Sequence, residues 1–256
     1  MYLKYYIGFR TLVIKEVRRF LSFWLDTMLP PIITTALYYL IFGHFIGQRV
    51  GMMGGFSYMQ FIAPGLIMMS VITGSYTNVA FSFFTTKFFR SIEDLLVSPL
   101  PSWLIVAGYM AGGVVRGCIL FVTLTVTSLF FTKMPFNHPF YVGFAVIFIS
   151  MTFSLAGFIN AIFAKRFDDI GVVPTFVLTP LIYLGGVFFS VQLLSTFWLS
   201  LSKLNPILYF ISLFRYGMLG VSDVSVPAAC ILLGMTSLVL FLLAWILLDK
   251  GVGVKT

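Results

Sequence analysis

Six stretches of this chain, at 28–46, 58–84, 103–131, 139–164, 171–190 and 227–248, are apolar over lengths that match or exceed a bilayer's hydrocarbon core. About 20 apolar residues wound as an α-helix cross about 30 Å of hydrocarbon. Inside lipid, every backbone N–H and C=O must find a partner within the chain, and a helix achieves that within one segment. Arg116 is the one charged residue that interrupts these runs. The predicted fold class is therefore an all-α integral membrane protein with six transmembrane helices.

Composition agrees: 60% of the residues are hydrophobic and 9% are charged, whereas soluble domains carry about 25% charge. The formal net charge of +8 would point to nucleic acid in a soluble protein. Here it is read as the positive-inside bias and attraction to anionic lipid, with no nucleic-acid partner. Lys4, Arg10, Lys15, Arg18, Arg19, Lys87, Arg90, Lys165, Arg166, Lys250 and Lys255 fall in segments on one side of the membrane. Only Arg49, Lys133, Lys203 and Arg215 fall on the other. That asymmetry places both termini in the cytoplasm. Cys118 and Cys230 lie inside apolar runs, without the spacing of a disulfide framework or a zinc site. His44 and His138 sit near span ends and read as interfacial.

Residues 1–26 lack the apolar core and small-residue cleavage site of a signal peptide. Polar positions recur at Lys4, Gly8, Thr11, Lys15, Arg18, Ser22 and Asp26, with Leu3, Ile7, Ile14, Val17, Leu21 and Trp24 between them. This is the pattern of an amphipathic helix lying in the membrane interface, although Arg10 fits it poorly. Residues 191–226 are apolar enough to suggest a seventh span, but Asn205-Pro206 breaks them and Arg215 would fall in mid-membrane. Two short re-entrant helices, over 191–220, before the last span are the expected solution.

Between the second and third runs stands "FFRSIEDLLVSPLPSW", residues 88–103. Ser91 is placed to cap a helix over 91–98, in a capping-box-like Ser-Ile-Glu-Asp start. Glu93 and Asp94 suit the positive end of the helix dipole. Leu95 and Leu96 form part of an apolar ridge, and Pro99 and Pro101 end the helix. The product is a short rigid knob with a charged rim, suited either to docking into a groove on a soluble partner or to a turn on the membrane surface.

Several stretches, "EDLLVSPLP" at 93–101, "FSLAGFINAIFAKRFDD" at 153–169, "TPLIYLGGVFFSVQLL" at 179–194 and "LNPILYFISLFRYGMLG" at 204–220, together resemble the transmembrane subunits of ABC exporters. The resemblance is to those with the type-2 transmembrane domain, the type V exporters. It runs nearly end to end, and it is closest to a branch of bacterial inner-membrane permeases. The resemblance implies an amphipathic connecting helix over 1–26 and a type-2 domain over 27–256. It implies a homodimer that docks two copies of a cytoplasmic ABC ATPase, with ATP and magnesium bound by that partner and no cofactor on this chain. Ser91, Glu93, Asp94, Leu95 and Leu96 would then form the coupling helix seated in the ATPase, and 191–220 the outer lid. Substrate would move between spans two and five of two subunits, which makes Tyr76, Asn78, Thr179 and Tyr183 pathway candidates. The tail "GVGVKT" lacks the Gly before Lys that a phosphate-binding Walker A loop requires, since Val254 occupies that position.

A buried cation such as Arg116 must snorkel, contact carbonyls or meet an anion. Gly108, Gly112, Gly113 and Gly117 around it form two small-xxx-small steps of the kind that let helices approach closely. Gly43, Gly47, Gly51 and Gly55 repeat every four residues at the end of the first run, as a helix face or a glycine-rich loop would. Two other function classes stand beside the exporter: a secondary transporter, which would need intramembrane carboxylates or inverted repeats, and a membrane-embedded lipid or sugar transferase, which would need interfacial acid or His clusters. The first features are not visible, and for the second only Glu93–Asp94 and Asp168–Asp169 come close, both on the cytoplasmic side beside basic residues. The topology has a direct check. With Cys118 and Cys230 replaced, single cysteines at Ser195 and Ser222 should react with an impermeant maleimide from the outer face. A cysteine at Thr256 that reacts from outside would overturn the six-span count.

Overall fold

The computed structural model describes residues 2–253 and is built almost wholly from helices. α1 (Tyr2–Ser22) leads through a one-residue break into α2 (Trp24–Tyr38), which continues as a π-wound segment, Tyr39–Ile46, and a last turn, α3 (Gly47–Val50). A two-stranded hairpin follows, β1 (Met52–Met53) against β2 (Phe56–Ser57), with Met52 opposite Ser57 and Met53 opposite Phe56. Gly54 and Gly55 turn it at φ 60° and 84°, backbone that only glycine adopts readily. The four-residue glycine repeat thus divides: Gly43 and Gly47 lie in helix, Gly51 and Gly55 at the hairpin.

Beyond the hairpin come α4 (Tyr58–Phe88), α5 (Ile92–Val97), α6 (Ser102–Leu129) and α7 (Pro139–Phe163). α8 (Phe167–Val173), a π-wound turn at Pro174–Leu178 and α9 (Thr179–Leu184) run on as one interrupted helix. A 3₁₀ turn at Val191–Leu193 then precedes α10 (Thr196–Lys203), α11 (Pro206–Leu219) and α12 (Val226–Asp249). Among the described residues, six helices are long and apolar enough to span: Trp24–Gly43, Tyr58–Phe88, Ser102–Leu129, Pro139–Phe163, Phe167–Leu184 and Val226–Asp249. The first and fifth begin about a turn earlier than hydropathy placed them. The reason for the first is that Trp24, Leu25 and Asp26 extend the same helix. The fifth ends at Leu184 rather than 190, because Gly185 and the left-handed Gly186 break it. α10 and α11 meet at 87°, the break that Asn205-Pro206 announces.

α4 is the central column, buried along most of its length against α6, α7 and α11. Its neighbours approach closely because they present glycine. A methyl group at Gly157 on α7 would collide with the backbone carbonyl of Tyr76 on α4. One at Gly113 on α6 would strike Ser154 and Val79, and one at Gly117 would strike Ser150 and Ser75. The other glycine step turns elsewhere: Gly108 and Gly112 receive Leu12 and Glu16 of α1. One helix thus uses its two small-residue steps to hold different partners. Hydroxyl pairs tie the periphery, Tyr39 to Ser128 at 2.7 Å between the π-wound segment and α6 and Thr152 to Ser237 at 2.7 Å between α7 and α12.

Close helix contact is the main attraction available in lipid, where apolar side chains gain nothing by leaving their solvent. Gly157→Ala should therefore cost about 1–3 kcal/mol from overpacking. Gly143→Ala, which meets nothing within 4 Å, should be neutral or slightly stabilising. Thermal unfolding of the two variants in one detergent separates the clash from the helix propensity they share.

Candidate functional site

The two ends of the bundle carry different chemistry. At one end α5 projects between α4 and α6. Ile92 is buried beneath it, Leu95 is partly buried, and Glu93, Asp94 and Val97 face outward. The side chain of Leu96 lies outside the described residues. Ser91 does not cap: its hydroxyl donates to the Thr86 carbonyl at 3.1 Å, and the Glu93 N–H goes to the Arg90 carbonyl at 3.1 Å. The expected capping box is therefore absent. Its place is taken by a tight reversal at Arg90, held at φ 58°, a left-handed backbone that costs a non-glycine residue of order 1–3 kcal/mol. At the far end of α5, the Ser98 hydroxyl donates to the Leu95 carbonyl at 2.6 Å.

Lys87 fixes the base of this knob. Its Nζ donates to the carbonyls of Ile162 at 2.6 Å and Ala164 at 2.8 Å, capping the end of α7, where helix carbonyls lack partners. A cavity of about 520 Å³ lies beside it, walled by Phe84, Phe88, Ile92, Phe163 and Lys165. The reading of Lys87 as a positive-inside charge missed this structural task.

Arg116 occupies a second site. Its Nη1 donates to Asn78 Oδ1 at 3.3 Å, and Arg19 of α1 donates to the same oxygen at 2.8 Å and to the Asn78 carbonyl at 3.1 Å. Glu16, fully buried, pairs with Arg19 at 3.2 Å and accepts from Ser82 at 2.8 Å. α1 therefore has three faces rather than two. Leu3, Ile7, Ile14 and Leu21 are exposed, the basic residues form a second face, and Leu12, Glu16 and Phe20 seat the helix against its neighbours. Glu16 and Arg19 escaped the two-faced amphipathic reading. The available signal was a lone acid flanked four residues either way by Leu12 and Phe20.

The four pathway candidates are not brought together. Tyr76 is buried with its hydroxyl beside Asn160 but outside hydrogen-bond geometry, while Asn78 serves the arginines. Thr179 donates to the Pro174 carbonyl at 2.9 Å, tending backbone in the π-wound turn. Tyr183 is partly exposed, its hydroxyl 3.4 Å from that of Tyr38.

At the hairpin end, Arg215 of α11 is 1% exposed. Nη1 pairs with Asp223 at 3.0 Å, Nη2 donates to the Gly186 carbonyl, and the guanidinium lies 4.0 Å over the Phe61 ring. Asp223 also accepts from Ser190 at 2.6 Å. One cation thus joins α4, α11 and the loops that follow α9 and α11. Among the described residues no group of three or more His, Cys, Asp or Glu could hold a metal ion. His138 stacks on Tyr216, and the His44 side chain and residues 254–256 lie outside the described residues.

Residues 8–219 match the family described as ABC-2 type transporter, and with that match the spans, loop helix and bent helix pair are those of a transporter's membrane subunit. The chain belongs to that family. It is 50% identical over 252 residues, 98% of each chain, to the inner membrane transport permease YadH of Escherichia coli K12. It is 30% identical over 190 residues, 72% of this chain and 70% of the relative, to nodulation protein J of Sinorhizobium fredii. With nodulation protein J of Neorhizobium galegae it shares 25% over 185 residues, 72% and 71% of the two chains.

Removing one partner of a buried ion pair strands the other charge, at about 3–5 kcal/mol. Asp223→Asn should lower thermal stability accordingly. Arg215→Met combined with Asp223→Leu should recover most of that loss, as read by unfolding of the purified variants.

Proposed function

We propose that this chain is the permease subunit of an ATP-driven exporter in a bacterial inner membrane. Two copies pair, each docks one cytoplasmic ATPase, and an amphipathic, lipid-linked or drug-like substrate leaves the cytoplasm or inner leaflet. The observation that carries the proposal is α5: a short helix with an exposed acidic rim, anchored by Ile92 and set on a base that Lys87 fastens to α7. A flexible loop would dissipate a push, whereas a helix fixed to two spans transmits it.

Membership of the ABC-2 family supports an ATPase partner, and the inner-membrane permease of E. coli supports the location. Charge asymmetry supports cytoplasmic termini, and the break at Phe23, three residues before the proposed 26/27 division, supports a connecting helix distinct from the transmembrane domain. α1 is read as the connecting helix at the inner interface, and α10 and α11 as the outer lid. Sparse burial of Phe167–Leu184 within one chain fits a helix that a second copy covers.

Glu93→Ala with Asp94→Ala removes the rim at a local cost of about 0.3–1 kcal/mol per charge. Expression and dimerisation should stay normal, ATPase capture should fall and transport should be lost. Lys203→Glu, at the opposite end, should leave capture intact. Full capture and transport in the double variant would reduce α5 to a surface turn.

A further inference from the structure

A cavity of about 430 Å³ opens between α1, the start of α2, α4 and α6, with Arg19 and Arg116 on its wall. We propose that it binds the phosphate headgroup of an amphiphile. Two guanidinium groups converge on the single Oδ1 of Asn78, and Glu16 balances only one of them. Among the described residues the ion pairs are Glu16–Arg19 and Arg215–Asp223, which leaves Arg116 without a carboxylate. A buried cation without a counter-charge is costly, and a bound anion removes that cost. Nε of Arg19 and Nε of Arg116 are buried with no hydrogen-bond partner among the described residues, and no protein acceptor there engages Nη2 of Arg116 or Nη1 of Arg19. Paired guanidinium donors at one opening match the oxygens of a phosphate.

The remaining walls identify the rest of the ligand. Phe20, Phe23 and Phe81 give an apolar lining, unsuited to a free, hydrated ion. The first span, Trp24–Gly43, has 20 residues, a length of about 30 Å that matches one hydrocarbon thickness. Phe23 precedes that span and Thr27 lies in its first turn, whereas Arg116 stands midway along α6, so the cavity runs inward from the end of the first span to a cation within the bundle. The charged head would then enter the arginine pair while its chain stays against the phenylalanines. Asp26, exposed, also lines the cavity and disfavours a head with further negative charge. The site belongs to this chain alone and does not depend on the exporter reading.

The test is binding to the purified protein in a neutral maltoside detergent, with dodecyl phosphate and inorganic phosphate as separate probes and no ATPase present. Dodecyl phosphate should bind and raise the melting temperature, while inorganic phosphate should bind at least tenfold more weakly. Arg116→Gln should lose about 10- to 100-fold in affinity for dodecyl phosphate, and Arg18→Gln, on the exposed basic face, should lose none. Asp26→Asn should bind the probe more tightly. Without ligand, Arg116→Gln should melt no lower than the parent, because it removes an unbalanced charge. Unchanged dodecyl phosphate affinity in Arg116→Gln would overturn the proposal. So would a large fall in its ligand-free melting temperature that Arg116→Lys restores, which would make Arg116 a structural tie. Equal affinity for inorganic phosphate would also overturn it, since the site would then take a free anion.

Discussion

Everything in this bundle depends on how closely α4 can be approached. Lipid offers apolar side chains the same environment as a protein interior, so the usual drive to bury them is missing, and helices associate where backbones come near enough for dense van der Waals contact. Gly113, Gly117 and Gly157 supply that access to α4, with Ser75, Ser150 and Ser154 filling the narrow space between. α4, α6 and α7 form a tight core for this reason. α2, Phe167–Leu184 and α12, which lack such faces, stay at the margin with most of their surface open.

That core sets the terms on which charge enters the membrane. Arg215 and Asp223 bring their own compensation, and they spend it on joining separate segments at the hairpin end. Arg19 and Glu16 likewise pin α1 against the core, which turns an amphipathic surface helix into a docked one. Arg116 completes that cluster without a carboxylate of its own. The contrast between a closed pair and an open one separates a structural tie from a site with room for a ligand.

The opposite end is organised around one lysine. Lys87 joins the end of α4 to the end of α7, and the reversal at Arg90 launches α5 from that joint. Movement of α5 would thus be felt by the same two helices whose glycine contact defines the core.

The sequence by itself determined the spans, because hydrocarbon thickness and backbone satisfaction leave little freedom: all six spans start within five residues of their hydropathic limits, and the breaks at Asn205-Pro206 and Pro99-Pro101 are local backbone effects. The knob and the glycine steps were legible for the same reason. Partners were not. Asn78 beneath Arg116, Asp223 beside Arg215, Lys87 on the end of α7 and the burial of Glu16 all join residues whose side chains meet only once helices are packed. The four polar pathway candidates scattered for the same reason: helix phase and neighbour choice, not polarity, decide where a side chain points. Tyr76 and Asn78, two residues apart on one helix, face different neighbours. Length and periodicity are properties of one segment, and the pairing of charges is a property of the packed bundle.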